Sequence, residues 1–232
     1  MADRQHSSDQ DAARPGVAGL AIGILGGTGA EGRGLARRFA LAGHTVHIGS
    51  RSAERAHAAA ADLGAGPGVR GMLNADAARE ADVVIVAVPW LGHRELVASL
   101  TAELAGKIVV DCVNPLGFDG EGAFAMRVEE GSAAQQTAAL LPDSRVVGAF
   151  HHVSSVLLLD PEVPEVPMDV LVLGDDRAAT DVVQALAGRI PGMRGIYAGR
   201  LRNCGQVEAF TANLVAINRR YKAHAGLRIT DV

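Results

Sequence analysis

The 232 residues suit one large domain, or one with a small appendage, and exclude a multidomain machine. With 48% hydrophobic and 21% charged residues the composition is globular, excluding a disordered chain or a long coiled coil; only 3% are aromatic, so Ala, Val, Leu and Ile with 28 glycines must build the interior. A net charge of −4, with no basic run, excludes an electrostatic surface for nucleic acid.

Residues 1–19 mix Asp, Arg, Ser and Gln without an apolar stretch, which predicts a flexible tail and no secretion signal. Ala21–Gly26 is an apolar run of buried-strand length ending in a glycine cluster. Between Ala30 and Ala42, Leu35, Phe39 and Leu41 share one helical face, Arg33, Arg37 and Arg38 another, and Gly43 supplies the stop. The alternation continues with a strand over Thr45–Ile48, a helix over Ala53–Leu63, a glycine-rich break over Gly64–Gly68 and a strand over Val69–Leu73. A helix over Ala75–Ala81, a strand within Asp82–Val88, a helix over Gly92–Leu104 and a strand over Lys107–Val113 follow. The last elements are a helix over Ser132–Leu141, strands over Arg145–Ala149 and Asp169–Leu173, and helices over Arg177–Ala187 and Asn203–Lys222.

Strands that are Val/Ile throughout are apolar on both faces, as a parallel sheet covered by helices requires. The predicted fold class is therefore α/β, a doubly wound (Rossmann) mostly parallel sheet spanning residues 20–197, with a small C-terminal helical subdomain over 198–232. Six Arg and Lys against two acids give that last segment +4, leaving −8 for the remainder. No apolar run nears the roughly 20 residues that span a bilayer. Cys112 and Cys204 have neither metal-site nor disulfide-framework spacing, which points to a reducing compartment and no metal.

Gly27-Thr28-Gly29-Ala30-Glu31-Gly32 matches G-x-G-x-x-G and lies between the first strand and first helix. In that setting Gly27 makes the tight turn, Gly29 admits a pyrophosphate and Gly32 lets the helix pack on the sheet, while the N-terminal N–H groups face phosphate. The second strand's tip, Gly49-Ser50-Arg51, lacks the carboxylate that binds a ribose 2′-hydroxyl. Ser50, Arg51 and Arg55 instead suit a 2′-phosphate, favouring NADP over NAD. Val88-Pro89-Trp90 and Asn114-Pro115 sit at further strand tips; each proline reads equally as a wall for a planar ring or as a strand stop, and Trp90 equally as core. His151 and His152, adjacent on what reads as extended chain, point opposite ways and make no joint acid/base or metal pair.

Together these residues resemble the F420-dependent NADP oxidoreductases. The shared features are Gly-Gly-Thr-Gly at 26–29, Gly-Ser-Arg at 49–51, Val-Pro-Trp at 88–90, Phe-His-His at 150–152, Gly-Asp-Asp at 174–176 and Val-Glu-x-x-Thr at 207–211; Asn-Pro-Leu-Gly-Phe-Asp at 114–119 looks like the bacterial, actinomycete-type branch. The resemblance implies hydride transfer between NADP(H) and the deazaflavin coenzyme F420. It implies NADP contacts at Thr28, Gly29, Ala30, Glu31, Ser50, Arg51 and Arg55, with Val88, Pro89 and Trp90 near the nicotinamide. It places His151, Val153, Ser155 and Thr211 on the deazaflavin side, His151 as a polar positioning group rather than an acid or base. Gly205 and Ala209 depart from archaeal relatives that carry arginine and serine there. A cytoplasmic homodimer is expected. Competing readings are an NADP-dependent imine or ferric reductase and a non-catalytic NADP-binding sensor.

Overall fold

The computed structural model describes residues 15–66 and 68–232, so most of the expected tail and residue 67 of the glycine-rich break lie outside the described residues. In chain order the first half runs β1 (Ala21–Leu25), α1 (Ala30–Leu41), β2 (Thr45–Ser50), α2 (Ala53–Leu63), β3 (Val69–Leu73), α3 (Asn74–Glu80), β4 (Val83–Val86), α4 (Trp90–Ala98), α5 (Thr101–Leu104) and β5 (Ile108–Asp111). A hairpin of β6 (Leu116–Phe118) and β7 (Ala123–Ala125) follows, then α6 (Ala133–Leu140), β8 (Arg145–Gly148), α7 (Ser155–Leu159), β9 (Asp169–Gly174), α8 (Arg177–Ala187), β10 (Arg194–Gly199) and α9 (Cys204–Tyr221).

The main sheet has the order β10-β9-β8-β5-β4-β1-β2-β3. All pairings are parallel except β8 with β9, so the predicted mostly parallel doubly wound sheet is what forms. Order reverses between β1 and β4, and their carboxyl ends open the crevice where such sheets hold ligands. Alternate residues of β4 enter different apolar layers: Val83 and Ile85 pack with Ile22, Leu35 and Phe39, whereas Val84 and Val86 pack with Leu25, Val97 and Val109. Each fully buried Val, Leu or Ile contributes about 1.5–3 kcal/mol, and covering both faces is why these strands show no polar alternation.

The expected single helix over Gly92–Leu104 is two. It starts earlier, at Trp90, because Pro89 takes the N-cap position and the helix loses no hydrogen bond there, and it breaks at Ser99-Leu100, where Ser99 Oγ donates to Leu96 O at 2.8 Å. Helix α7, the β6–β7 hairpin and β10 carry no periodicity long enough to register in the sequence. After β10 the chain leaves the sheet, and α9 packs on α6 and β7. The final residues return to β9, where Asp169 N–H donates to Leu227 O at 2.8 Å and Ile229 N–H to Asp169 Oδ2 at 2.6 Å.

Candidate functional site

The turn after β1 is built on close backbone approach. Gly26 adopts φ +69°, which only glycine takes without strain, and its N–H donates to Asn74 Oδ1 at 3.1 Å. The tight turn thus falls on Gly26 and not on Gly27 as expected. Gly27 is needed for another reason: a Cβ there would lie 2.7 Å from Ile24 O, while one on Gly32 would lie 2.6 Å from Gly27 Cα. Above Gly29 the space is open, the nearest atom being Gly26 O at 3.8 Å from an added Cβ. Helix α1 begins there without a side-chain cap, so its first N–H groups face the crevice with the positive end of the helix dipole. Thr28, Gly29 and Ala30 are at least partly exposed. Glu31 in the first turn is half-buried, burial pushes its carboxyl up to about 8, and its Oε1 has no partner among the described residues.

Gly27 N–H donates to Gly49 O at 3.0 Å, joining this turn to the tip of β2. There Ser50 is buried and Ser50 Oγ accepts from Ser52 N–H, while Ser52 caps α2 by accepting from Arg55 N–H at 3.3 Å. Arg51 and Arg55 are exposed and, among the described residues, have no carboxylate partner. Val88 and Trp90 at the β4 tip are half-buried and Pro89 is exposed, with Val88 in contact range of Gly26. The dinucleotide-side candidates therefore share one edge.

A second group lies across the same edge. Phe150 turns the chain after β8 at φ +65°, a conformation that costs a non-glycine residue of order 1–3 kcal/mol, and its buried ring packs edge-on against Phe39. The turn replaces the expected extended chain, and it buries both histidines. His152 Nε2 accepts from Leu171 N–H at 3.4 Å, whereas both ring nitrogens of His151 are buried without a partner among the described residues. Burial drives both imidazoles down to about 4, so both are neutral near pH 7. Asn114 Nδ2 donates to His151 O at 2.7 Å, and Thr211 Oγ1 on α9 lies 3.2 Å from Asn114 Oδ1, bringing His151, Asn114 and Thr211 together. Val153 sinks into the apolar core, and Ser155 starts α7 half-buried.

Beneath lie groups that sequence reasoning did not assign. Glu208 on α9 is buried; its carboxylate accepts from Ala133 N–H at 2.8 Å and Ala134 N–H at 3.2 Å, capping α6, and its Oε1 is 3.9 Å from His151 Nε2. Burial pushes that carboxyl up to about 7 against the two N–H donors. Gly205 permits the approach, since a Cβ there would lie 2.7 Å from Gly131 O; a bulkier residue requires a shifted turn. His93 and Asp111 form a buried pair at 2.7 Å. Asp111, a lone acid inside Val-Val-Asp-Cys-Val, is the one signal the sequence offered for it, whereas His93 and Asn74 offered none.

The C-terminal cations are partly spoken for: Arg228 meets Asp169 at 3.2 Å and Arg200 meets Asp175 at 3.6 Å. Arg202, Arg219, Arg220 and Lys222 have no such partner among the described residues. No described helix is long and apolar enough to cross a membrane.

A family model described as NADP oxidoreductase, coenzyme F420-dependent, matches residues 21–115. The chain is 38% identical to the F420-dependent NADP reductase of Methanothermobacter thermautotrophicus, covering 92% of this chain and 96% of that protein. It is also 38% identical to that of Methanocaldococcus jannaschii, over 92% and 99%. A solved structure from Arthrobacter sp. fb24, provisionally described as an F420-dependent NADP-reductase, superposes with a TM-score of 0.76 at 28% identity, covering 91% of this chain and all of that one.

Proposed function

The chain belongs to the family of F420-dependent NADP oxidoreductases, and from that premise we propose that it passes a hydride reversibly between NADP(H) and F420 at the carboxyl edge of its sheet. The observation that carries the reading is one crevice with two dissimilar walls, a phosphate-type turn at Gly26–Ala30 and a polar cluster at Asn114, His151 and Thr211. NADP fits the first wall: α1 is uncapped, Gly29 leaves room for a pyrophosphate, and Arg51 and Arg55 beside Ser50 suit the 2′-phosphate. On the second wall the partly exposed Ser155 and Thr211 suit the polar edge of a deazaflavin, while the buried His151 ring and Val153 pack behind them.

Both ligands are hydride carriers, so they supply the chemistry and the chain has to hold their reacting carbons about 3–3.5 Å apart. Val88, Pro89 and Trp90 serve as the nicotinamide wall. His151, neutral because it is buried, acts as a positioning group. Arg202, Arg219, Arg220 and Lys222 in the segment 198–232, taken as a small subdomain, form the surface for the acidic tail of F420.

The reading extends to a cytoplasmic homodimer. Support comes from exposed apolar groups on packed elements: Phe118 (70% exposed) and Phe124 on the hairpin, and Phe210, Ile217 and Tyr221 (73%) at helical spacing on α9. Stopped-flow mixing of protein and NADPH with F420 tests the activity: loss of F420 absorbance in step with NADPH oxidation is expected, and NADPH oxidised by no deazaflavin or flavin overturns it, leaving the sensor and the imine or ferric reductase readings. Sedimentation equilibrium tests the assembly, and a concentration-independent mass near 24 kDa rejects the dimer.

A further inference from the structure

A polar cluster lies beneath the crevice, with His93, Asp111 and Thr137 wholly inaccessible to solvent. Its protons can be assigned from partners alone. Gln136 Nε2 donates to Glu130 Oε2 at 3.1 Å, which turns Gln136 Oε1, an acceptor, toward His93 Nδ1 at 3.0 Å. On the other side of the ring, Nε2 faces Asp111 Oδ2 at 2.7 Å and Thr137 Oγ1 at 3.0 Å. Thr137 spends its own proton on Asp111 Oδ2 at 2.6 Å, so both neighbours of Nε2 are acceptors. Both ring nitrogens therefore carry protons, and an imidazolium is buried against a carboxylate. Burial is the largest influence on each and opposes its charge, but the mutual bond, the attraction between the two charges and the remaining hydrogen bonds together outweigh it, raising His93 and lowering Asp111.

A buried ion pair rarely adds stability over apolar residues of the same volume, so its placement calls for another reason. What the pair touches supplies one. The His93 ring lies 5.4 Å from the Trp90 ring, tilted by 31°, directly behind the β4 tip. Asp111 Oδ1 accepts from Val113 N–H at 2.9 Å, fixing the β5 tip, whose next residue, Asn114, holds the His151 carbonyl and meets Thr211. An unbroken set of contacts thus runs from Trp90 on one wall to Thr211 on the other.

We infer that His93 is a positioning residue for hydride transfer, locking through Asp111 the spacing between the Trp90 wall and the Asn114–His151–Thr211 wall. This rests on the reading that the two rings meet between those walls. A displacement of about 1 Å between reacting groups costs on the order of 100-fold in rate, whereas ligand affinity comes largely from phosphates held elsewhere in the crevice. The pair therefore acts on turnover more than on binding.

Two variants each cut one half of the link. His93→Gln keeps a donor for Asp111 but removes the ring behind Trp90; His93→Phe keeps a ring there but removes both donors. Trp90 is the chain's single tryptophan, so its emission in the ligand-free protein reports the wall without any turnover. Emission shifted in His93→Gln, with kcat for NADPH-driven F420 reduction down about 10-fold to 100-fold and KM for both ligands within threefold, is the expected result. His93→Phe should show the same kcat loss if it folds. A folded His93→Gln protein with wild-type kcat, or with KM raised as much as kcat is lowered, overturns the inference, as does unchanged Trp90 emission. Wild-type protein that transfers no hydride would instead overturn the functional reading, and the emission comparison would still decide whether His93 holds Trp90.

Discussion

Arg51 holds its side chain in solvent at the tip of β2, at the start of a helix where a cation is unfavourable unless an anion joins it. A guanidinium–phosphate contact contributes about 1.5–3 kcal/mol, so Arg51→Ala should raise KM for NADPH roughly tenfold or more while leaving that for NADH nearly unchanged. Steady-state kinetics with both nucleotides checks this; equal losses would remove the 2′-phosphate assignment. The absent carboxylate made Arg51 readable from sequence, because the deciding feature is local: which side chain follows the second strand. Phe150 was not readable in that way. Its +65° backbone goes with the docking of its ring against Phe39, a contact between residues 111 positions apart in the chain.

At the level of elements, the short helix α7 shows how a distant residue fixes a segment with little propensity of its own. Five residues cannot sustain a helix alone, since nucleation consumes most of what the first turn gains. Arg38, buried on α1, closes α7's carboxyl end by donating from Nε to Leu158 O at 2.8 Å and from Nη2 to Leu157 O at 2.6 Å and Asp160 O at 3.3 Å. Arg38→Met keeps the aliphatic stem but leaves these carbonyls without their charged donor, at a cost of about 2–4 kcal/mol. Urea unfolding should show that loss, and because α7 carries Ser155, F420 affinity should fall as well. Unchanged stability would mean that water replaces the guanidinium. In the sequence Arg38 looks like one of three solvent-facing arginines; only the docking of α7 singles it out.

For the whole molecule, buried titrating groups set how stability depends on pH. His44, His47, His151 and His152 are held below their ordinary value of about 6.5 by burial, so as pH falls below 6.5 the unfolded chain binds protons that the folded one resists, and stability drops. Above 6.5 the sign reverses. Burial keeps Glu31 and Glu208 protonated up to about 8 and about 7 in the folded state, and His93 is raised by Asp111, so the folded chain now holds the extra protons and stability falls as pH rises. Urea midpoints of the ligand-free protein should therefore peak near pH 6.5 and be lower at pH 8 than at pH 6.5. A midpoint that climbs steadily from 6.5 to 8 would contradict the protonated state of these carboxyls.

Fold class, the order of the β/α units through α4 and the phosphate-type turn were determined by the sequence itself, because each rests on signals a few residues long: apolar runs, stop glycines and the spacing of Gly27, Gly29 and Gly32. The antiparallel entry of β9, the hairpin before α6 and the seat of α9 rest on pairings between segments far apart in the chain, which no local pattern encodes. The same division runs through the crevice. Ser50, Arg51 and Trp90 were visible as strand-tip residues, but the bond of His93 to Asp111, the capping of α6 by Glu208 and the burial of both rings at His151-His152 exist only once the sheet has brought its carboxyl ends together. A buried charge is tolerated only beside its partner, and that partner comes from another element, so the tertiary structure alone decides which titratable residues become the polar floor of the site.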